Sequence, residues 1–167
     1  MAYPTEAVYG LGCNPLDPEA FERLLALKRR PDRKGVILIA GDEAQLAPYL
    51  GSLDPEVHAR VRASWPGPVT WLMPAGPGVP GWLTGYRDTI AVRVTDHPVA
   101  AALCRTFGGA LVSTSANRSG APPARSALRA RLLFGADLAV VLSGPLGTRD
   151  RPTAIIEASS GRVLRAG

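Results

Sequence analysis

Cysteine, histidine and aromatic side chains are scarce in this sequence, and long apolar runs are missing. Cys13 and Cys104 are its only cysteines, too few for a disulfide framework and suited to a reducing compartment. Neither belongs to a CxxC pair, and His58 and His97 stand alone. A protein-built transition-metal site is therefore not expected. No segment approaches the roughly 18 apolar residues of a membrane helix, and no signal-peptide pattern opens the chain. The expected location is cytoplasmic. Familiar catalytic strings are missing as well. There is no GxxxxGK[ST] phosphate loop, no GxSxG elbow and no HExxH pair. Gly10-Leu11-Gly12 begins like a dinucleotide fingerprint, but Pro15 stands where its third glycine belongs. No histidine is spaced to serve Ser113, Ser115 or a cysteine in a triad.

What is present fits one α/β domain. Of 167 residues, 46% are hydrophobic and 20% charged, enough for a real core in a single unit. Nineteen Lys and Arg outweigh fourteen Asp and Glu, a net charge of +5. Such an excess suits anionic partners, nucleotides or RNA, and suits a generally arginine-rich proteome equally well. Asp17-Pro18 predicts a helix start for FERLLALKRR, which Pro31 stops. GVILIA (35–40) reads as a strand buried on both faces. EAQLAPYL and DPEVHARVRASW read as helices. PVTWLMPA (68–75) and TIAVRV (89–94) read as strands, the second with Thr89, Ala91 and Arg93 on one side. A helix over 96–107, a strand at ALVS, a helix at SALRARLLF and a strand at LAVVL (138–142) follow. TAIIE (153–157) and RVLRA (162–166) close the chain as two strands joined by a turn. The Pro/Gly-rich segment 74–85 reads as an irregular loop. Strands alternating with helices predict an α/β (α+β) single sheet with helices packed on it.

Four polar islands fall at the ends of these elements: Pro4-Thr5-Glu6, the Lys28–Pro31 run with Lys34, Arg93, and the Ser113–Asn117 turn. Ligands of open α/β sheets bind beyond the strand ends. Hydroxyls, amides and backbone N–H groups there can surround a phosphate or carboxylate, and nearby cations neutralise it. Each island also has a plain structural reading. Ser and Asn after a strand can be a turn, and KRRP can be a solvated helix end. Arg93 is harder to place so, because a core-facing charge is costly unless paired. The residues alone thus specify an anion-binding α/β domain for a nucleotide, an RNA or an acidic metabolite.

Six strings in order, AYPTEAVYGLG, LKRRPDRKGVILIA, WPGPVTWLMPA, TIAVRVTDHP, LVSTSANRSGAPP and VLRAG, resemble the threonylcarbamoyl-adenylate synthase (YrdC-like) family, specifically its short bacterial form. The resemblance runs from Tyr3 to Gly167. It implies a twisted mixed sheet around a large basic cavity, as a single domain over 1–167. It also implies a nucleotidyltransferase that converts L-threonine, bicarbonate (or CO2) and ATP to threonylcarbamoyl-AMP and pyrophosphate. The product serves N6-threonylcarbamoyladenosine formation at position 37 of tRNA, through downstream threonylcarbamoyl-transferase proteins. By the same resemblance Thr5, Arg93, Ser113 and Thr153 contact threonine. Lys28, Arg30, Lys34, Thr89, Ser115, Asn117 and Arg165 contact ATP. Mg2+ would arrive bound to ATP, since no residue is an identifiable metal ligand, and no general base or protein nucleophile is identified.

Two departures from the family pattern stand out. The family has a helix and most of a strand ahead of the YPTE segment, so the sequence is expected to begin inside the first strand. Pro-Thr-Ala at 152–154 replaces a frequent Ser-Thr pair, which bears on Thr153. A different class of function remains open: a double-stranded RNA- or tRNA-binding, ribosome-maturation module without catalysis. RNA surfaces usually interleave cations with stacking aromatics. Aromatics are only 6% here and the cations sit beside hydroxyl-rich turns, which favours a small-molecule pocket.

Overall fold

The two runs with the clearest strand patterns, 35–40 and 89–94, lie side by side at the middle of one sheet. The computed structural model describes residues 1–167. Its elements in order are β1 (Ala2–Pro4), β2 (Tyr9–Leu11), α1 (Pro18–Lys28), β3 (Ile37–Ala40), α2 (Pro55–Arg62), β4 (Val69–Pro74), α3 (Gly81–Thr84), β5 (Thr89–Val94), α4 (Pro98–Phe107), β6 (Leu111–Ser115), α5 (Ala127–Phe134), β7 (Ala154–Glu157) and β8 (Val163–Arg165). The eight strands form one mixed sheet in the order β1-β2-β6-β3-β5-β4-β7-β8. The β3–β5 and β4–β7 pairs are parallel and the rest antiparallel.

Strand periodicity decides what each face carries. On one face Leu38 and Ala40 of β3, Trp71 and Met73 of β4, Ile90, Val92 and Val94 of β5 and Val112 of β6 join the main core, with Phe21 and Leu24 of α1. The opposite face divides in two. At one end Ile39 and Leu111 pack with Tyr3 against Ala100 and Cys104 of α4. At the other end, beyond α4, the face continues as Ile37, Ala91, Ser113 and Ser115, which line a cavity.

Local chemistry explains most boundaries. Asp17 accepts the Ala20 N–H at 2.9 Å to start α1, and Ser126 caps α5 through Arg129 N–H at 3.1 Å. α4 is capped by His97, which accepts from Ala100 N–H, and not by Asp96. α1 ends at Lys28 because Arg29 adopts a left-handed backbone (φ 49°). The expected helix at EAQLAPYL is a 3-10 helix over Glu43–Tyr49 with Pro48 inside it, since proline supplies no N–H for an α-helical bond. LAVVL is no strand: it makes one isolated parallel bridge, Val141 to Ala2, because β1 is too short to carry a longer ladder. Ala2–Pro4 is the strand inside which the family resemblance expected the sequence to begin, whereas Tyr9–Leu11 is a strand that the sequence pattern did not mark, and one turn of helix, α3, interrupts the Pro/Gly-rich loop.

Two glycines clasp the segment after α1 to the segment after α3. Gly35 (φ 59°) and Gly85 (φ 66°) meet backbone to backbone. A Cβ on Gly85 would lie 2.5 Å from the Arg33 carbonyl oxygen and 2.7 Å from Gly35 N. Gly78 shares the left-handed backbone (φ 84°) but has nothing within 4 Å of that position. Gly85→Ala should therefore destabilise the protein by about 2–4 kcal/mol, a left-handed-backbone cost plus overpacking. Gly78→Ala should cost only about 1 kcal/mol. Urea midpoints of the two variants check this, and equal losses would exclude the clasp.

Candidate functional site

The half-face beyond α4 forms the floor of a cavity of about 460 Å³. Leu72, Thr89, Ala91, Arg93, Ile37, Ser113, Ser115 and Ile155 rise from five strands of the sheet. The β1–β2 turn, the segment after α1, the segment around Arg87 and the β7–β8 hairpin supply the walls. Five cations line it, Arg30, Lys34, Arg87, Arg93 and Arg165, against one carboxylate, Glu6. No aromatic side chain is on the wall.

Arg93 is the organising side chain. It projects from near the C-terminal end of β5, paired in register with Ile39 of β3, and is only 5% exposed. Its Nη1 donates to Thr153 Oγ1 at 2.7 Å, and its Nη2 donates to Glu6 Oε2 at 3.2 Å. Glu6 Oε1 accepts from Thr95 Oγ1 at 2.6 Å. A buried guanidinium needs such a counter-charge, since an isolated ion in the interior costs several kcal/mol. Thr153 lies 3.2 Å from Thr70 Oγ1, and its carbonyl accepts from Arg165 Nε at 3.2 Å and Nη2 at 2.7 Å. Burial and the neighbouring Arg93 charge pull the Arg165 pKa down. Two guanidinium groups, Nε of Arg30 and Nε of Arg93, are buried without an acceptor. Orphaned buried donors are rare in native proteins.

The other sequence-predicted residues fall into two groups. Thr5 lines the cavity, and its hydroxyl donates to Val8 O at 2.7 Å, closing the β1–β2 turn. Arg30 donates Nη2 to Gly35 O at 2.8 Å, and burial lowers its pKa. Lys34, Thr89, Ser113 and Ser115 also line the cavity. Nine of the eleven thus converge on one concavity. Lys28 and Asn117 do not border it. Lys28 continues the inward face of Phe21 and Leu24, and its ammonium donates to Ser115 O, to Asn117 O at 2.9 Å and to Asn117 Oδ1 at 3.4 Å. Asn117 itself accepts from Ser115 Oγ at 2.5 Å and donates to Ala121 O at 2.7 Å. Both side chains are committed to the shape of the loop after β6, with Ser115 alone reaching the cavity. Two residues were missed. Glu6 was in a quoted island but received no role, and the clue was that a core-facing Arg93 requires a carboxylate. Arg87, in an exposed turn, carried no sequence signal.

Comparison with known proteins follows this geometry. The Sua5/YciO/YrdC family model, described as "Telomere recombination", matches residues 1–167. A protein named threonylcarbamoyl-AMP synthase from Alkalilimnicola ehrlichii is 60% identical over 169 residues, covering 99% of this chain and 88% of the relative. One of the same name from Halorhodospira halophila is 56% identical over 165 residues, covering 99% and 86%. The crystal structure of P. abyssi Sua5 complexed with L-threonine superposes with a TM-score of 0.90 at 31% identity. That match covers 98% of this chain and 49% of the other, so this chain spans about half of that protein. E. coli YciO gives a TM-score of 0.85 at 28% identity, over 99% and 82% of the two chains.

Burial, with Arg30 nearby, pushes Lys28 from its ordinary 10.5 down to about 8. Between those values the unfolded chain holds a proton at Lys28 that the folded chain has released, so this residue's contribution to stability grows as pH rises. The stability difference between the native protein and Lys28→Met should increase by on the order of 2 kcal/mol from about pH 8 to about pH 10. Urea midpoints at several pH values measure it. A flat difference would show that the ammonium is not desolvated.

Proposed function

The chain belongs to the Sua5/YciO/YrdC family, and we propose that it joins L-threonine, bicarbonate (or CO2) and ATP into threonylcarbamoyl-AMP, releasing pyrophosphate. The observation that carries this reading is the charge balance of the cavity: five cations and one carboxylate, with hydroxyls between them. That lining suits a triphosphate beside a small carboxylate-bearing substrate. Relatives at 60% and 56% identity carry the synthase name, and a structural neighbour holds L-threonine.

In this reading Arg93, with Thr5, Ser113 and Thr153, binds threonine. Arg30, Lys34, Thr89, Ser115 and Arg165 hold the nucleotide, and Lys28 and Asn117 fix the loop that presents Ser115. The unpartnered Nε–H groups of Arg30 and Arg93 would gain acceptors from bound anions. The threonine ammonium first gives a proton to water. The neutral amine then adds to the carbon of CO2, releasing a second proton to water, or to that of bicarbonate, whose OH leaves with the amine proton as water, to give a carbamate. The carbamate oxygen then attacks the α-phosphorus of ATP. The bond from that phosphorus to the bridging oxygen breaks, and pyrophosphate leaves with the electron pair. A carbamate is labile in water, so a recessed cavity protects it. The transfer itself needs positioning and charge neutralisation more than a protein nucleophile, which agrees with a wall free of cysteine and histidine. One carboxylate on the wall, with no further acidic or histidine ligand beside it, is too few to hold Mg2+ by itself, so the ion would be carried by the phosphates and water. The product would pass to transferase proteins acting on tRNA, in the cytoplasm. An RNA surface fits less well, because the cations line a concavity with no aromatic to stack a base.

Pyrophosphate release from ATP should require both L-threonine and bicarbonate, and release indifferent to threonine would defeat the reading. Arg93→Ala should raise the KM for threonine by about 30- to 1000-fold, corresponding to about 2–4 kcal/mol for a charge-assisted carboxylate contact. Its ATP affinity, measured by calorimetry, should change far less. Equal losses for both substrates would move Arg93 to the nucleotide.

A further inference from the structure

Glu6 is the single carboxylate on the cavity wall, it is only 5% exposed, and no step of the proposed reaction uses it. A counter-ion for Arg93 could have been supplied from behind the sheet. Glu6 instead stands at the cavity, held there from its far side. Arg149 N–H donates to the Glu6 carbonyl, Gly147 N–H donates to the Thr5 carbonyl at 3.0 Å, and a Cβ on Gly147 would lie 2.8 Å from Glu6 Cα. The Glu6 backbone is thus fixed by close packing, and its carboxylate is aimed by Arg93 and Thr95.

The pair it forms has unused capacity on both sides. Each carboxylate oxygen can accept two hydrogen bonds, whereas Oε1 is assigned only Thr95 and Oε2 only Arg93. Arg93 in turn has an unpartnered Nε–H. Spare acceptors beside spare donors, one anionic and one cationic, complement a zwitterion. We propose that Glu6 and Arg93 together form a receptor for an α-amino acid, in which Glu6 takes the substrate's α-ammonium while Arg93 takes its carboxylate. Glu6 is then the specificity determinant that rejects the hydroxy acid, whose oxygen offers no positive charge, and it fixes the nitrogen that becomes the carbamate nitrogen. The inference rests on the threonine reading above and adds the residue that reads the amine.

Calorimetry in the presence of ATP, without bicarbonate, tests it. The ligands are L-threonine, the hydroxy acid carrying OH in place of the amino group, and L-threoninol, which lacks the carboxylate. The native protein should bind the hydroxy acid and the threoninol at least about 30-fold more weakly than threonine, as expected for one lost charged contact. Glu6→Gln should weaken threonine and leave the hydroxy acid unchanged or improved, so their ratio falls below about tenfold, with ATP affinity kept. A merely structural Glu6 would not move that ratio. Binding of threonine and the hydroxy acid within about threefold of each other by the native protein would overturn the proposal, whether or not Glu6→Gln folds. So would a Glu6→Gln protein that keeps the native ratio. Failure of the native protein to bind threonine at all would remove the synthase reading along with this one.

Discussion

A guanidinium buried at the foot of a sheet is the constraint from which the rest of this molecule follows. Arg93 cannot sit on β5 unless its charge is balanced, and the groups that balance it and accept from its two Nη atoms come from distant parts of the chain. Glu6 comes from the β1–β2 turn, Thr153 from the start of β7, and Arg165 of β8 closes on the Thr153 carbonyl. One side chain thereby ties together four segments that share no continuous sequence. Satisfied buried networks rigidify what they connect. Removing one partner is costly because the other charge stays buried. The cavity keeps its shape because this network spans its floor.

The second determinant is what α4 leaves bare. On one sheet face the strands begin under α4 with Tyr3, Ile39 and Leu111 and continue past its edge with Ile37, Ser113 and Ser115. The change from apolar to hydroxyl side chains along β6 follows that edge. Beneath the helix, dispersion and burial favour Leu111. Beyond it, a side chain faces solvent or ligand, and a hydroxyl can do both. The abrupt polarity switch within LVSTS is thus the imprint of helix coverage on a single strand.

Much of this was legible in the sequence, and the exceptions share a cause. Local signals worked: the alternation that sets Thr89, Ala91 and Arg93 on one side of β5 is the observed cavity face, and the cap at Asp17 is where side-chain chemistry places it. What failed was decided by partners remote in sequence. LAVVL has strand composition but only Ala2 to bridge with. Tyr9–Leu11 is a strand because β1 and β6 are available, and a three-residue ladder leaves too short a periodicity to read. Lys28 looked like the head of a phosphate-binding run, yet it stands on the inward side of α1, four residues after Leu24 and seven after Phe21, with its ammonium on the loop after β6. Glu6 was visible as a residue and invisible as a counter-ion, since its pairing with Arg93 spans 87 positions.

The cations divide by depth, and the division assigns them different physical work. Arg93 is buried and Arg30 half-buried, while Arg165 is exposed as a residue but has its guanidinium held on the Thr153 carbonyl, and desolvation lowers the pKa of both Arg30 and Arg165. Lys34 and Arg87 are exposed at the mouth. Exposed charges interact weakly at equilibrium and are screened within about 8–10 Å at ordinary salt, so the outer pair contributes chiefly by drawing an anion towards the opening. Arg93 and Arg30 act at lower effective dielectric, where each oriented donor holds an anion more strongly, with Arg165 oriented beside them by the Thr153 carbonyl. The Gly35–Gly85 clasp makes the two tiers one device, since it fastens the segment bearing Arg30 and Lys34 to the one bearing Arg87. A Cβ at Gly85 would press on the Arg33 carbonyl and one at Gly35 on Thr84, so the placing of the outer cations relative to the inner ones rests on two missing Cβ atoms.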